Sequence, residues 1–249
     1  MTDLETRFTT EGLVVKETVV GESDRLVTLF TKDHGLIKAF ASGAKNINSK
    51  KGAATALLTY SEFCIKNKNG TLRIFEANPK AQFFKMGADV TVLSLAQYFC
   101  ELALQFGENG VKDEEFLRLL LNSLHFLVEG KKEFYTIKAI TELRVAAISG
   151  YMPNLIACKG CGCFEADIMY FDFFDGSITC KECGAPAGAI PINKTQLSAL
   201  RHIIYSQFQK LYSFEIPEAD AKMLSNLTEK YITTQTDYKF RSLEFLNSL

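Results

Sequence analysis

Five short β-rich segments within the first eighty residues, helical periodicity from residue 88 onward, and a Cys-x-x-Cys-Gly phrase written twice predict a multidomain α+β chain. The expected architecture is an amino-terminal β-barrel followed by an all-helical domain, with a four-cysteine zinc-binding segment inserted in the helical part. The boundaries drawn from the sequence are 1–80 for the barrel, 81–154 for the first helical part, 155–190 for the cysteine insertion and 191–249 for the second helical part.

The strands are read in order. Gly12 to Val20 is a β-branched run, and Gly21-Glu22-Ser23-Asp24 supplies turn chemistry after it. Arg25 to Thr31 is the second strand, turned by Lys32-Asp33-His34-Gly35, and Leu36 to Ser42 is the third. The stretch Ala44 to Gly52 is rich in lysine and asparagine and is expected to lie outside the core. Two further strands are joined by Asn67-Lys68-Asn69-Gly70, a hairpin signal. In them Phe63 and Ile65 alternate with Glu62, Cys64 and Lys66, and Leu72 and Ile74 with Arg73, so that Lys66 and Arg73 fall on outward faces as cross-strand neighbours. Five short strands with tight turns in about 70 residues suggest a small closed barrel, with the OB-fold as leading candidate.

From Ala88 the period changes to that of a helix. Val90 to Phe106 ends near Gly107; Asp113 is an N-cap for a helix reaching Val128, with Gly130 as its stop; Phe134 to Ala147 closes at Gly150. After the cysteine segment, Thr195 to Lys210, Pro217 to Thr233 and Tyr238 to Asn247 read as helical. Their leucines and aromatics read as core.

Composition is that of a globular protein: 47% apolar, 23% charged and 12% aromatic over 249 residues. No apolar run of 18 residues is present, and the start, Met1-Thr2-Asp3-Leu4-Glu5, is acidic with no apolar stretch of a secretory signal. A soluble cytoplasmic protein is expected. The formal net charge of −1 conceals an asymmetry. Residues 1–80 carry twelve Lys/Arg against nine Asp/Glu, and within 36–75 Lys38, Lys45, Lys50, Lys51, Lys66, Lys68 and Arg73 face Glu62 alone. Such a patch is either a solvated face or a surface for a polyanion.

Five of seven cysteines lie between Cys158 and Cys183. Cys64 and Cys100 stand alone in apolar surroundings and read as small buried hydrophobes. Cys158-Lys159-Gly160-Cys161-Gly162 and Cys180-Lys181-Glu182-Cys183-Gly184 repeat one pattern, with 18 residues between the pairs. Two residues between sulfurs let one turn offer both thiolates to one ion, and the following glycine lets backbone N–H groups approach a sulfur. The spacing fits a four-cysteine zinc site, whose filled tetrahedral shell makes it structural rather than catalytic. Tyr170 to Cys180 is expected to form a hairpin carrying the second pair, with Cys163 as a spectator. There is no phosphate-binding loop, dinucleotide fingerprint, His-Glu-x-x-His or Gly-x-Ser-x-Gly, and His34, His125 and His202 sit in unrelated segments. Binding is thus a better-supported class than catalysis, and no enzyme is expected.

Gly12-Leu13-Val14-Val15, the run Gly21-Glu22-Ser23-Asp24-Arg25-Leu26-Val27-Thr28-Leu29-Phe30-Thr31, His34-Gly35, Ser42-Gly43-Ala44-Lys45 with Ser49-Lys50, and Gly150-Tyr151-Met152-Pro153-Asn154-Leu155 leading into the paired cysteines resemble the signature of the bacterial recombination mediators of the RecO family. The resemblance covers about residues 10 to 185. It implies an OB-fold that binds single- and double-stranded DNA, and non-enzymatic work in DNA repair at the nucleoid: annealing complementary strands and, with RecR, helping RecA displace single-strand-binding protein (SSB). It further implies binding of the acidic, apolar SSB C-terminal tail, and it carries Zn2+ onto Cys158, Cys161, Cys180 and Cys183; such a tail needs an apolar groove edged by a cation, which Arg118 or Arg144 on the leucine-rich helices could supply. On this reading Arg25, Lys38, Lys45, Lys50, Lys51, Lys66 and Arg73 track DNA phosphates, while Phe40 and Tyr60 either stack on bases or belong to the core. The rival is a zinc-stabilised protein-interaction module that does not touch DNA.

Overall fold

The computed structural model describes residues 6–46, 48–84 and 88–249; the acidic start Met1–Glu5 lies outside the described residues. The chain forms two compact units, 1–128 with 240–249, and 129–239.

The first unit begins with five strands: β1 (Thr6–Val20), β2 (Asp24–Thr31), β3 (Gly35–Ala41), β4 (Thr59–Lys68) and β5 (Thr71–Gln82). They close into a barrel in the order β1-β2-β3-β5-β4. All pairings are antiparallel except β3 with β5, which meet in parallel at Phe40 and Arg73. This is the expected OB-type barrel, though β1 begins at Thr6 rather than Gly12. Inward positions of every strand fill the barrel, among them Val14, Val27, Leu29, Ala39, Phe63, Ile65 and Ile74.

Part of the stretch expected to stay outside the core enters it. Ala44 and Ala54 are fully buried within the barrel cluster, and a short helix α1 (Lys50–Ala54) forms between β3 and β4. Small side chains let this backbone approach closely. Ser49 caps α1 by accepting the Gly52 N–H at 3.0 Å, and a Cβ at Gly52 would come within 1.9 Å of the Asn46 carbonyl oxygen. Lysines on α1 therefore mark one of its faces, while alanines and glycine make the other.

Also in this unit are α2 (Val90–Phe106), α3 (Glu114–Glu129) and the short α7 (Arg241–Leu246). Asp113 accepts the Phe116 N–H at 3.0 Å, as the N-cap reading expects. Phe116 meets Phe30 of β2 edge-on at 5.0 Å, and Tyr98 of α2 meets Phe240 at 5.4 Å. The periodicity change near residue 80 marks where strands give way to helices; packing keeps these three helices in the same unit as the barrel.

The second unit contains α4 (Phe134–Ile148), β6 (Ile168–Asp172), β7 (Ser177–Cys180), β8 (Ile190–Asn193), α5 (Lys194–Tyr205) and α6 (Glu218–Thr236). The β6–β7 hairpin forms as expected, and β8, unforeseen, adds to β6 to give the order β7-β6-β8. Helix α5 stops at Tyr205, short of Lys210: Ser206 turns to extended backbone, and Arg144 on α4 satisfies the terminal carbonyls of Ile203 and Ile204 at 3.3 and 2.7 Å. Between α4 and α6 the buried Lys138 ammonium is 2.8 Å from both Glu142 and Glu229, and the Thr228 hydroxyl donates to Glu142 at 2.6 Å. Among the described residues no helix is long and apolar enough to cross a membrane.

Candidate metal centre and cationic barrel face

Cys158 and Cys161 lie on the loop before β6, Cys180 ends β7, and Cys183 closes the 3-10 turn that follows. Their four sulfurs lie within 4.8 Å of one another, with Cys161 and Cys180 at 3.6 Å. A tetrahedral zinc with Zn–S bonds of about 2.3 Å has sulfurs about 3.8 Å apart, so the donor set fits that ion. Cys163 stays outside the cluster; its thiol donates to the Glu165 carbonyl at 3.1 Å.

Local backbone explains the repeated phrase. A Cβ on Gly160 would lie 2.8 Å from the Cys183 sulfur, so only glycine lets the first loop close on the second. Gly162 and Gly184, which end the two phrases, have φ of +74° and +84°. Burial pushes the Cys158 thiol up, but backbone N–H groups of Cys161, Cys180 and Gly160, aided by Cys183, outweigh it and bring the group down to about 6. Cys183 goes the other way, to about 12, because it shares protons with Cys161, Cys158 and Cys180. The cluster thus carries thiolate character before any ion arrives. A bound zinc would supply a cross-link between the loop and the hairpin.

The segment is tied down by residues that the sequence did not single out. Arg201 of α5 donates to the carbonyls of Leu155 and Ile156 at 2.7 and 2.9 Å and to that of Phe164 at 2.5 Å, and its guanidinium lies 3.9 Å from the Phe164 ring centre. The Lys159 N–H bonds the Ile178 carbonyl at 2.8 Å, and the Lys159 ammonium pairs with Asp175.

On the barrel, the seven cations assigned from sequence separate. Arg25 is a correction: it is 5% exposed, bonded to the Gly52 carbonyl at 3.2 Å and paired with Glu17 at 3.2 Å. It braces β2 against α1 and is not offered to a ligand. Lys38, Lys45, Lys50 and Arg73 are exposed, and Lys51 and Lys66 half-buried. Register brings several together: Lys66 of β4 stands opposite Arg73 of β5 on one side and opposite Arg7 of β1 on the other, and Arg73 pairs with Phe40 of β3. Lys38 stands two residues from Phe40 on the same face. Lys45 is anchored by its N–H to the Ser23 carbonyl at 3.0 Å, and the Lys51 ammonium reaches the Ile74 carbonyl of β5 at 3.4 Å. Asp24 accepts the Gly43 N–H at 2.9 Å; that bond, then Ser23 and the nearby Arg73 charge, hold its carboxyl below the ordinary value.

Phe40 is half-buried beneath Arg73, whose guanidinium lies 5.7 Å from its ring centre. Tyr60 donates to Glu11 at 2.5 Å, and burial followed by that bond pushes its phenol well above the ordinary value. Neither is an open stacking surface. Sequence reading missed Arg7 and Phe75. Phe75 is 44% exposed, with the Arg7 guanidinium 4.6 Å and the Lys66 ammonium 4.7 Å from its ring centre. It follows Arg73 on the outward side of β5, and a bulge there (Cys64 opposes Glu76 while Ile65 opposes Ile74) leaves Phe75 and Glu76 as two consecutive outward residues before Ala77 returns to the core. Of the two cations raised for an acidic tail, Arg118 is exposed on α3 while Arg144 is committed to the end of α5.

Two family models match the chain: one described as Recombination protein O N terminal over residues 4–83, the other as Recombination protein O C terminal over residues 87–244. The chain belongs to the RecO family. Curated relatives bearing the name DNA repair protein RecO include that of Acetivibrio thermocellus, 30% identical over 241 residues and 96% of each chain. The Alkaliphilus metalliredigens protein is 27% identical over 96% of this chain and 98% of its own length. That of Caldicellulosiruptor bescii is 28% identical over 95% and 96% respectively. RecO membership places the chain in DNA repair and recombination, within a family of mediators not known as enzymes.

Proposed function

We propose that this RecO-family chain is a non-enzymatic recombination mediator whose barrel, the DNA-binding domain, holds single- and double-stranded DNA by its phosphates. Lys38, Lys45, Lys50, Lys51, Lys66 and Arg73 make the contacts, with Arg7 added and Arg25 withdrawn. The single observation that supports this best is the row Arg7–Lys66–Arg73 across three neighbouring strands, adjoined by the lysine-bearing loop and α1. Such a face is sequence-tolerant because each strand of DNA presents the same anionic backbone.

Annealing follows from the same surface. Two complementary strands repel one another, and a lysine face that neutralises both lets them meet while exchanging contacts quickly. In the cell the chain works in the cytoplasm at the nucleoid, with RecR, to help RecA onto gaps covered by SSB, whose C-terminal tail it also binds. Zn2+ on Cys158, Cys161, Cys180 and Cys183 has a structural role. The experiment is a charge reversal of Lys45, Lys50 and Lys51 together, followed by annealing of complementary oligonucleotides. Annealing is expected to be lost with the fold retained by circular dichroism; unchanged annealing would remove this loop from the site. An unaltered chain that binds neither single strands nor duplex would favour the rival protein-interaction module.

A further inference from the structure

Phe75 is unusual among the large exposed side chains of the barrel. It lies on the outward side of β5 at a β-bulge, and two cations from two other strands, Arg7 and Lys66, converge on its ring at 4.6 and 4.7 Å. The surroundings are not uniformly positive: Arg7 also lies 3.9 Å from Glu76 and donates to the Cys64 sulfur at 2.7 Å. The Arg7–Glu76 pair is solvent-exposed on both sides, and such pairs are weak and easily exchanged.

We propose that Phe75 is a base-stacking platform that makes the barrel distinguish single-stranded from double-stranded DNA. The inference rests on the DNA-binding reading above. An unpaired base offers a flat π face that can replace a cation on this half-open ring, the displaced Arg7 or Lys66 then taking a flanking phosphate. In duplex DNA the base is already stacked between its neighbours and presents only an edge. Phosphate contacts are common to both forms; the ring contact belongs to the single strand alone. Pairing therefore withdraws the base from Phe75, and the duplex is held more weakly than either strand that formed it.

The test compares the full chain with Phe75→Leu and Phe75→Trp variants. Leu keeps an apolar side chain without the π face, and Trp restores the face. Each is titrated against an oligothymidine of about 15 nucleotides, an abasic backbone of the same length and a duplex. Phe75→Leu is expected to lose about tenfold in affinity for the oligothymidine, to bind the abasic strand and the duplex as the unaltered chain does, and to be rescued by Trp. An equal loss on all three probes, or no loss on the oligothymidine, would overturn the stacking role while leaving phosphate binding intact. If the unaltered chain bound no probe, the parent reading itself would fail. Because Phe75 is surface-exposed, thermal melting of each variant checks that the barrel is unchanged.

Discussion

Cys158 is the residue at which chemistry and folding meet most closely. Three backbone N–H groups favour its thiolate despite burial, while Cys161 and Cys183 hold their protons more tightly. Zinc uptake by the metal-free chain at neutral pH should therefore release fewer than four protons per ion, measurable by calorimetry in buffers of different ionisation enthalpy; a full four would contradict the ionised state assigned to Cys158. Glu11 gives a second test. Lys80 and then Tyr60 bond its carboxylate and hold it below the ordinary carboxylate value. A depressed acid contributes stability above its unfolded value, and that contribution is lost as pH falls through the folded one. Melting temperature should thus fall below about pH 4 less steeply in Glu11→Gln than in the unaltered chain; parallel curves would remove Glu11 from the account. The paired cysteines were legible because ligand spacing is local chemistry. Arg25 was misread because its burial comes from the Gly52 carbonyl of α1, 27 residues on, and from Glu17 across the β1–β2 pairing, neither of which strand alternation shows. Alternation with Ile74 already turns Phe75 outward; what the sequence does not show is that Arg7 and Lys66, from two other strands, meet over its ring.

Among the elements, α1 carries the loop lysines and is the part of the barrel that sequence described least well. Its composition is polar enough to look like open loop, yet its small residues face inward, and a helix of five residues shows too little periodicity to read. Gly52→Ala should destabilise the barrel by about 2 kcal/mol or more through the clash with Asn46, against about 1 kcal/mol for Ser49→Ala, which removes the cap and the hydroxyl's bond to the Asn46 carbonyl without a clash. Denaturant melts of the two variants decide this, and equal, small effects would mean that the close approach is not needed. Strands β2 to β5 and the long helices were legible, since each carries one clear period bounded by turn residues. Strand β8 was not: Ile190–Asn193 is four residues long and owes its conformation to pairing with β6.

For the molecule as a whole, a formal charge of −1 on the chain coexists with a local cationic excess on the barrel, and the metal centre belongs to the other compact unit. Removing zinc with a chelator should withdraw on the order of 10 kcal/mol of binding free energy from the cysteine segment, exposing it to protease. Affinity for single-stranded DNA should then change by no more than about twofold, as expected of sites that share no partners. Loss of both together would show that the barrel depends on the metal. The overall division into strands and helices followed from period; the packing of α2, α3 and α7 in the barrel unit did not, because periodicity says which face is apolar but not what covers it. The most direct test of the phosphate grip is the salt dependence of binding to a single strand. With about five phosphates neutralised, the logarithm of affinity should fall against the logarithm of salt concentration with a slope near −3.5. An affinity that stays constant from low to moderate salt would contradict the cationic face as the seat of DNA binding.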